Sequence, residues 1–176
     1  MEAVRLDSII RFTIGKNTTR LKGTGEVLYT PDDFEEDLQC VNEDIHSGIC
    51  IVNLIKSKMA PLSRVTSSKC LTLTSNFLKC EFDPDKLDSW YLCYQFNEGR
   101  TIEQQVAMYH QGSTLSVKKL TLKTTGDLEI ILPCIERQRL IGKMYKQSII
   151  QHSLMCKQAE DTRLLTMEII KRLEGD

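Results

Sequence analysis

The stretch ERQRLIGKMYKQSIIQHSLMCKQAEDTRLLTMEIIKRL, residues 136–173, decides how this chain is organised. It holds no proline, and Gly142 is its one glycine. A glycine costs a helix interior about 1 kcal/mol and a proline about 3 kcal/mol, so nothing here stops a helix outright. The pattern predicts one long helix, or a pair that folds back near Asp161. At about 100° per residue, Ile141, Met144, Tyr145, Met155, Cys156, Ala159, Ile170 and Leu173 share one face. Arg139, Lys143, Lys146 and Lys157 share the opposite one. Ile150, Leu154, Leu164 and Leu165 lie off the first stripe.

A helix apolar on more than one side is buried on more than one side. The chain's own sheet covers one side. A protein partner, a second protomer or a folded-back half of the helix covers the other. Ile150, Leu154, Leu164 and Leu165 are therefore the candidate partner-binding residues. Ser148, His152, Thr162 and Thr166 share the apolar face and spoil a strict heptad, which argues against a long free coiled coil. His152 is expected there as a hydrogen-bonded interface or core residue rather than a ligand.

The other half of the reading comes from residues 29–48, YTPDDFEEDLQCVNEDIHSG, where negative charge concentrates. Thr30 is a good N-cap and Pro31 suits the first helical position. Asp32 and Asp33 sit where the helix dipole favours anions. Phe34, Leu38, Val41 and Ile45 make one apolar stripe, and Gly48 supplies a C-terminal stop. The carboxylates, Asp37 among them, then fall on the solvated face of an amphipathic helix and do not converge as a metal site would require.

Around these helices the chain reads as strands. Residues 4–14 alternate with period two, and 26–29 form a short returning strand. Residues 49–55 read as a buried strand, 59–68 as a loop containing Pro61, and 70–74 with 77–82 as a hairpin. Asp83-Pro84-Asp85 is a turn. Trp90, Leu92, Tyr94 and Phe96 alternate as an aromatic strand. Thr101 and Gln104 make a capping box for a short helix ending near Gly112. Residues 115–123 and 128–132 read as a second hairpin. The expected fold is α+β: a mostly antiparallel sheet head with two short helices and a long C-terminal helix or helix pair. A single domain, 1–176, is expected, with a β-rich head at 1–134 and a helical element at 135–176.

Composition narrows the function. The formal net charge of -1 lacks the basic excess of a generic nucleic-acid coat. Yet the charges are segregated. No acid lies between Asp44 and Glu81, while Lys56, Lys58, Arg64, Lys69 and Lys79 do. From Arg137 to Lys157 every charge is positive. Lys56, Lys58, Arg139, Lys143 and Lys146 form the candidate basic surface. The seven cysteines are widely spaced without C-x-x-C, and are expected as buried or half-buried reduced thiols rather than a disulfide framework or zinc module. No phosphate loop, nucleophile elbow or H-E-x-x-H is present. No cofactor, metal or small-molecule substrate is inferred.

The opening MEAVRLDSII carries charges that a signal peptide lacks, and no apolar run is long enough to span a bilayer. A cytoplasmic or nuclear protein that is not secreted is expected. The leading reading is a non-catalytic assembly or adaptor protein that self-associates through its C-terminal helix. The alternatives are an assembly protein of viral matrix type using its basic segments on nucleic acid or an anionic membrane, which is not favoured, and an enzyme of unrecognised type.

Overall fold

A computed structural model of the chain describes residues 3–17, 27–40, 44–69, 71–111 and 119–174. In order the strands are β1 (Ala3–Arg5), β2 (Ile10–Ile14), β3 (Ile45–Asn53), β4 (Lys58–Ser63), β5 (Phe77–Phe82) and β6 (Glu129–Ile131). The helices are α1 (Pro31–Leu38), α2 (Arg64–Ser68), α3 (Ser89–Glu98), α4 (Arg100–Gln111), α5 (Leu122–Gly126) and α6 (Ile135–Glu174). This is the expected α+β class, with antiparallel sheets, short helices and one long C-terminal helix.

The order β2-β5-β3-β4 makes a four-stranded antiparallel sheet, and β1 pairs with β6 in a separate ribbon. The alternation of side chains along β3 splits its burial between two faces. Cys50 and Val52 face the larger core with Leu78, Cys80, Leu92 and Phe96. Ile51 faces a smaller one with Tyr29, Phe34, Ala60 and Phe77. Each fully buried Leu, Phe or Met in these cores contributes about 1.5–3 kcal/mol. Helix α1 covers the small core. Helix α3 covers the large one, and α6 lies on α3.

That layering corrects the reading of residues 90–96. They form α3, not a strand. Ser89, Trp90, Tyr91, Leu92, Cys93 and Phe96 are all buried, because the helix is covered by the sheet on one side and by α6 on the other. A helix buried almost all round shows no polar face, so its periodicity can pass for alternation. The Asp88 carboxylate starts it by accepting from the Tyr91 N–H at 2.8 Å.

Other corrections have local causes. The run at 4–14 is two strands in two sheets, broken at Leu6–Ser8, where Leu6 is fully buried and its N–H donates to the Leu128 carbonyl at 2.8 Å. Helix α1 begins at Thr30 as read, with a capping box to Asp33, but ends at Leu38 rather than near Gly48. Cys40 takes a φ of 55°, which turns the chain, and Ile45 belongs to β3. Gly48, at φ 78°, sits inside β3, where an added Cβ would stand 2.5 Å from the Phe82 carbonyl oxygen. Residues 58–63 are a strand despite Pro61, because β4 is the sheet's edge and needs no N–H there.

Thr72 and Thr74 make only isolated parallel bridges, to Leu28 and Lys16, so residues 70–74 do not form the first strand of a hairpin with β5. Residues 122–126 form α5, capped by Thr121, and β6 pairs with β1. The start of the expected second hairpin, residues 115–118, and Gly112 fall outside the described residues, as do Val41, Cys70 and Glu26.

Asp37 is not on a solvated face. It is buried, and its carboxylate accepts from the Tyr29 hydroxyl at 2.9 Å, the Ser63 N–H at 3.2 Å and the Thr66 hydroxyl at 3.0 Å. Loss of solvent holds it above the usual carboxylate range, against the pull of those three donors. Its neighbours do reach the surface: Asp33 pairs with Lys69 at 2.9 Å, and Glu35 pairs with Lys56.

A candidate assembly interface

Helix α6 is continuous over 40 residues, with no fold-back at Asp161. At about 1.5 Å per residue it is roughly 60 Å long. Its first part is anchored on the head. Gln138, 2% exposed, is a three-way clamp: its Oε1 accepts from the Asp88 N–H at 3.1 Å, and its Nε2 donates to the Lys86 and Pro133 carbonyls at 3.1 and 2.9 Å. One turn on, Gly142 lies against the start of α3, with room for no β-carbon. Tyr145 then stacks edge-on against Trp90 and Tyr94, with ring centroids at 6.4 and 5.6 Å. Its hydroxyl accepts from Asn97 Nδ2 at 3.2 Å, and burial pushes its pKa up to about 12. Ile141, Ile149 and Ile150 complete the contact with the large core.

Beyond Ile150 the helix leaves the head. Every residue from 151 to 174 is exposed, an arm of roughly 36 Å. It still carries Leu154, Met155, Leu164, Leu165, Met167, Ile169, Ile170 and Leu173. Leu154 is 62% and Leu165 59% exposed, on a helix that has no covering element among the described residues. The two line a shallow groove with Lys157, Gln158, Asp161 and Thr162. Spaced at three and four residues, these six make two overlapping four-sided holes, Leu154–Lys157–Gln158–Asp161 and Gln158–Asp161–Thr162–Leu165, of the kind that receives a side chain of a facing helix.

The candidate residues thus separate. Leu154 and Leu165 face outward. Leu164 lies on the neighbouring flank, and Ile150 sits at the junction, half-buried against the head. The apolar stripe is longer than expected. At about 100° per residue, Leu140, Met144, Leu154, Met155, Leu165, Ile169 and Leu173 fall within a sector roughly 100° wide, turned away from the head. Leu140 and Met144 are exposed even where the helix is docked, so Met144 does not face the sheet as expected. The signal was the alternating spacing of three and four. The glutamines at 147, 151 and 158 hid it by occupying the intermediate positions.

The basic residues also divide. Lys56 and Lys58 are neutralised within the head, by Glu35 and by Glu98 with the Asn97 carbonyl. Arg139 reaches Asp85 only at 3.8 Å. With Lys143, Lys146 and Lys157 it lies along one flank of α6, which bears no acid between Arg137 and Lys157 and then carries Asp161 and Glu168. Cys40, Cys50, Cys80 and Cys93 are buried, but Cys134 and Cys156 are exposed, contrary to their expected burial. His152 is exposed too, not a core residue, and its Nε2 stands 3.6 Å from the Cys156 sulfur. Among the described residues no helix is long and apolar enough to cross a membrane.

No family model matches the chain, and no curated protein does. Solved structures do resemble it. The HsdS subunit from Thermoanaerobacter tengcongensis aligns at 16% identity with a TM-score of 0.54, over 90% of this chain and 39% of that one. A chain from a study of complex assembly and conformational transition of the type I R-M system aligns at 18% identity with a TM-score of 0.60, over 94% and 42%. The type I restriction-modification system S subunit from M. genitalium aligns at 12% identity with a TM-score of 0.50, over 92% and 43%. None of these three is a viral structural protein. At such identities the likeness is one of fold, and this chain spans about two-fifths of the length of those it matches.

Proposed function

We propose that this chain is a non-catalytic assembly subunit whose head anchors a helical arm, and that the arm seats the arm of a second copy. The observation that carries the reading is the exposed outer stripe Leu140–Met144–Leu154–Leu165–Ile169 on a helix held rigid at one end by Gln138, Gly142 and Tyr145. Water around so many large apolar groups is unfavourable, at about 25 cal/mol per Å² that a partner could cover. Charge favours a copy running antiparallel. From Arg137 to Lys157 all charges are positive, whereas residues 158–174 carry Glu160, Asp161, Glu168 and Glu174 beside Arg163, Lys171 and Arg172. Parallel overlap sets the two wholly basic stretches against each other; antiparallel overlap sets each against a stretch of mixed charge. The fold shared with two S subunits, and with a chain from a study of complex assembly in the type I R-M system, supports a place in a multi-component assembly. Light scattering across a concentration series tests self-association directly, with a concentration-dependent rise toward twice the chain mass expected.

One observation favours a second reading, contact with nucleic acid: the basic flank Arg139, Lys143, Lys146 and Lys157, along a stretch with no acid from Arg137 to Lys157. Binding of a DNA duplex followed against salt tests it. If Lys143 and Lys157 each neutralise a phosphate, replacing both with Gln lowers the magnitude of the log–log salt slope by roughly 2.

A further inference from the structure

We infer that His152 and Cys156 form a ligating pair for a divalent transition-metal ion of the zinc class, supplying one edge of a tetrahedral site on the exposed arm. Four residues apart on a helix, the two side chains stand one above the other. The distance between His152 Nε2 and Cys156 Sγ is 3.6 Å. A tetrahedral ion with Zn–N of about 2.0–2.1 Å and Zn–S of about 2.3 Å requires an N-to-S edge of about 3.5–3.6 Å. The pair already has the spacing that a bound ion would impose, and no backbone movement is needed to reach it.

The surroundings are consistent with the assignment. Both residues are exposed, so a hydrated ion can reach them, and its two remaining positions stay open to water or to the same pair on another arm. Imidazole with thiolate selects zinc-class ions over magnesium or calcium, which require oxygen ligands. Glu160, one turn further on, is not a third ligand, because Arg163 holds both its oxygens, at 2.8 and 2.7 Å. No cluster of three ligating side chains forms among the described residues, so the protein's share is this pair. As the sulfur–metal bond forms, the thiol proton passes to solvent. The site lies on the side of α6 that continues the head-docking face, away from the outer stripe. The inference goes beyond the arm-pairing reading and does not rest on it.

The test is a cobalt(II) titration of the full chain, kept reduced, with light scattering in parallel. The expected result is the visible d–d spectrum of tetrahedral cobalt with a sulfur-to-cobalt charge-transfer band. Zinc should displace it, and His152→Ala or Cys156→Ser should each abolish it. Cys134→Ser, which removes the other exposed thiol, should leave it intact. One ion per chain or one per two arms, lost with either ligand, supports the assignment. No such spectrum, or one that survives either substitution, overturns it, and the 3.6 Å contact is then a plain hydrogen bond. Circular dichroism of the two variants establishes that they remain helical. A chain that pairs but takes up no cobalt overturns the metal site alone. A chain that takes up cobalt yet stays monomeric supports the site and overturns arm pairing.

Discussion

Gly142 lies so close to Asp88 that a β-carbon on it would stand 2.3 Å from the carboxylate Oδ1, and 2.8 Å from the Tyr91 nitrogen. The long helix is thus seated on the N-cap of α3 through its one glycine, the residue type that helix propensity disfavours most after proline. Gly142→Ala gains about 1 kcal/mol of helix propensity. It meets overpacking against backbone and cap that costs roughly 1–3 kcal/mol. Net destabilisation is expected in urea melts; a stabilised variant would show that the seat is looser than the geometry requires.

The neighbouring clamp makes a sharper prediction. Gln138→Leu keeps the volume but leaves the Asp88 N–H and the Lys86 and Pro133 carbonyls without their partner. Each buried polar group so orphaned costs about 1–3 kcal/mol. Chemical denaturation should register a loss larger than that of Leu140→Ala on the outer side of the same turn, which should stay within about 0.5 kcal/mol.

Asp37 gives the pH dependence a sign. Its folded-state pKa is raised, so between the unfolded and folded values the native state binds more protons than the unfolded one. Stability contributed by this group is therefore present at low pH and lost as pH rises through the folded pKa. Asp37→Asn removes the titration. The difference in unfolding free energy between wild type and variant should shift against the wild type as pH climbs from acid toward neutral. An opposite slope would mean that the donors from Tyr29, Ser63 and Thr66 outweigh desolvation.

Much of the frame was legible because local chemistry and tertiary packing agreed. Thr30 and Pro31 announced α1, the unbroken run after Pro133 announced α6, and Ile49–Asn53 read as buried. Legibility failed where tertiary burial removed the polar face that makes a period visible. Helix α3 is enclosed by sheet and α6, so Trp90, Leu92, Tyr94 and Phe96 read as alternation. Asp37 read as solvated because nothing local announces Tyr29, Ser63 and Thr66 converging on it. On the arm, spacing alone singled out Leu154 and Leu165, and both are exposed. The extent of the exposed stripe was not, since it depends on where the head ends, near Ile150, and no single sequence position encodes that edge.

The double variant Leu154→Glu/Leu165→Glu, compared with wild type by light scattering and thermal melting, tests the central claim most directly. On an exposed arm two glutamates cost the monomer little, whereas in a dry helix–helix contact each must be desolvated. The arm-pairing account predicts a wild type whose mass rises with concentration, and a folded variant of unchanged head stability that stays at the mass of one chain. A wild type that remains a single chain at every concentration, or a variant that associates as the wild type does, would contradict it.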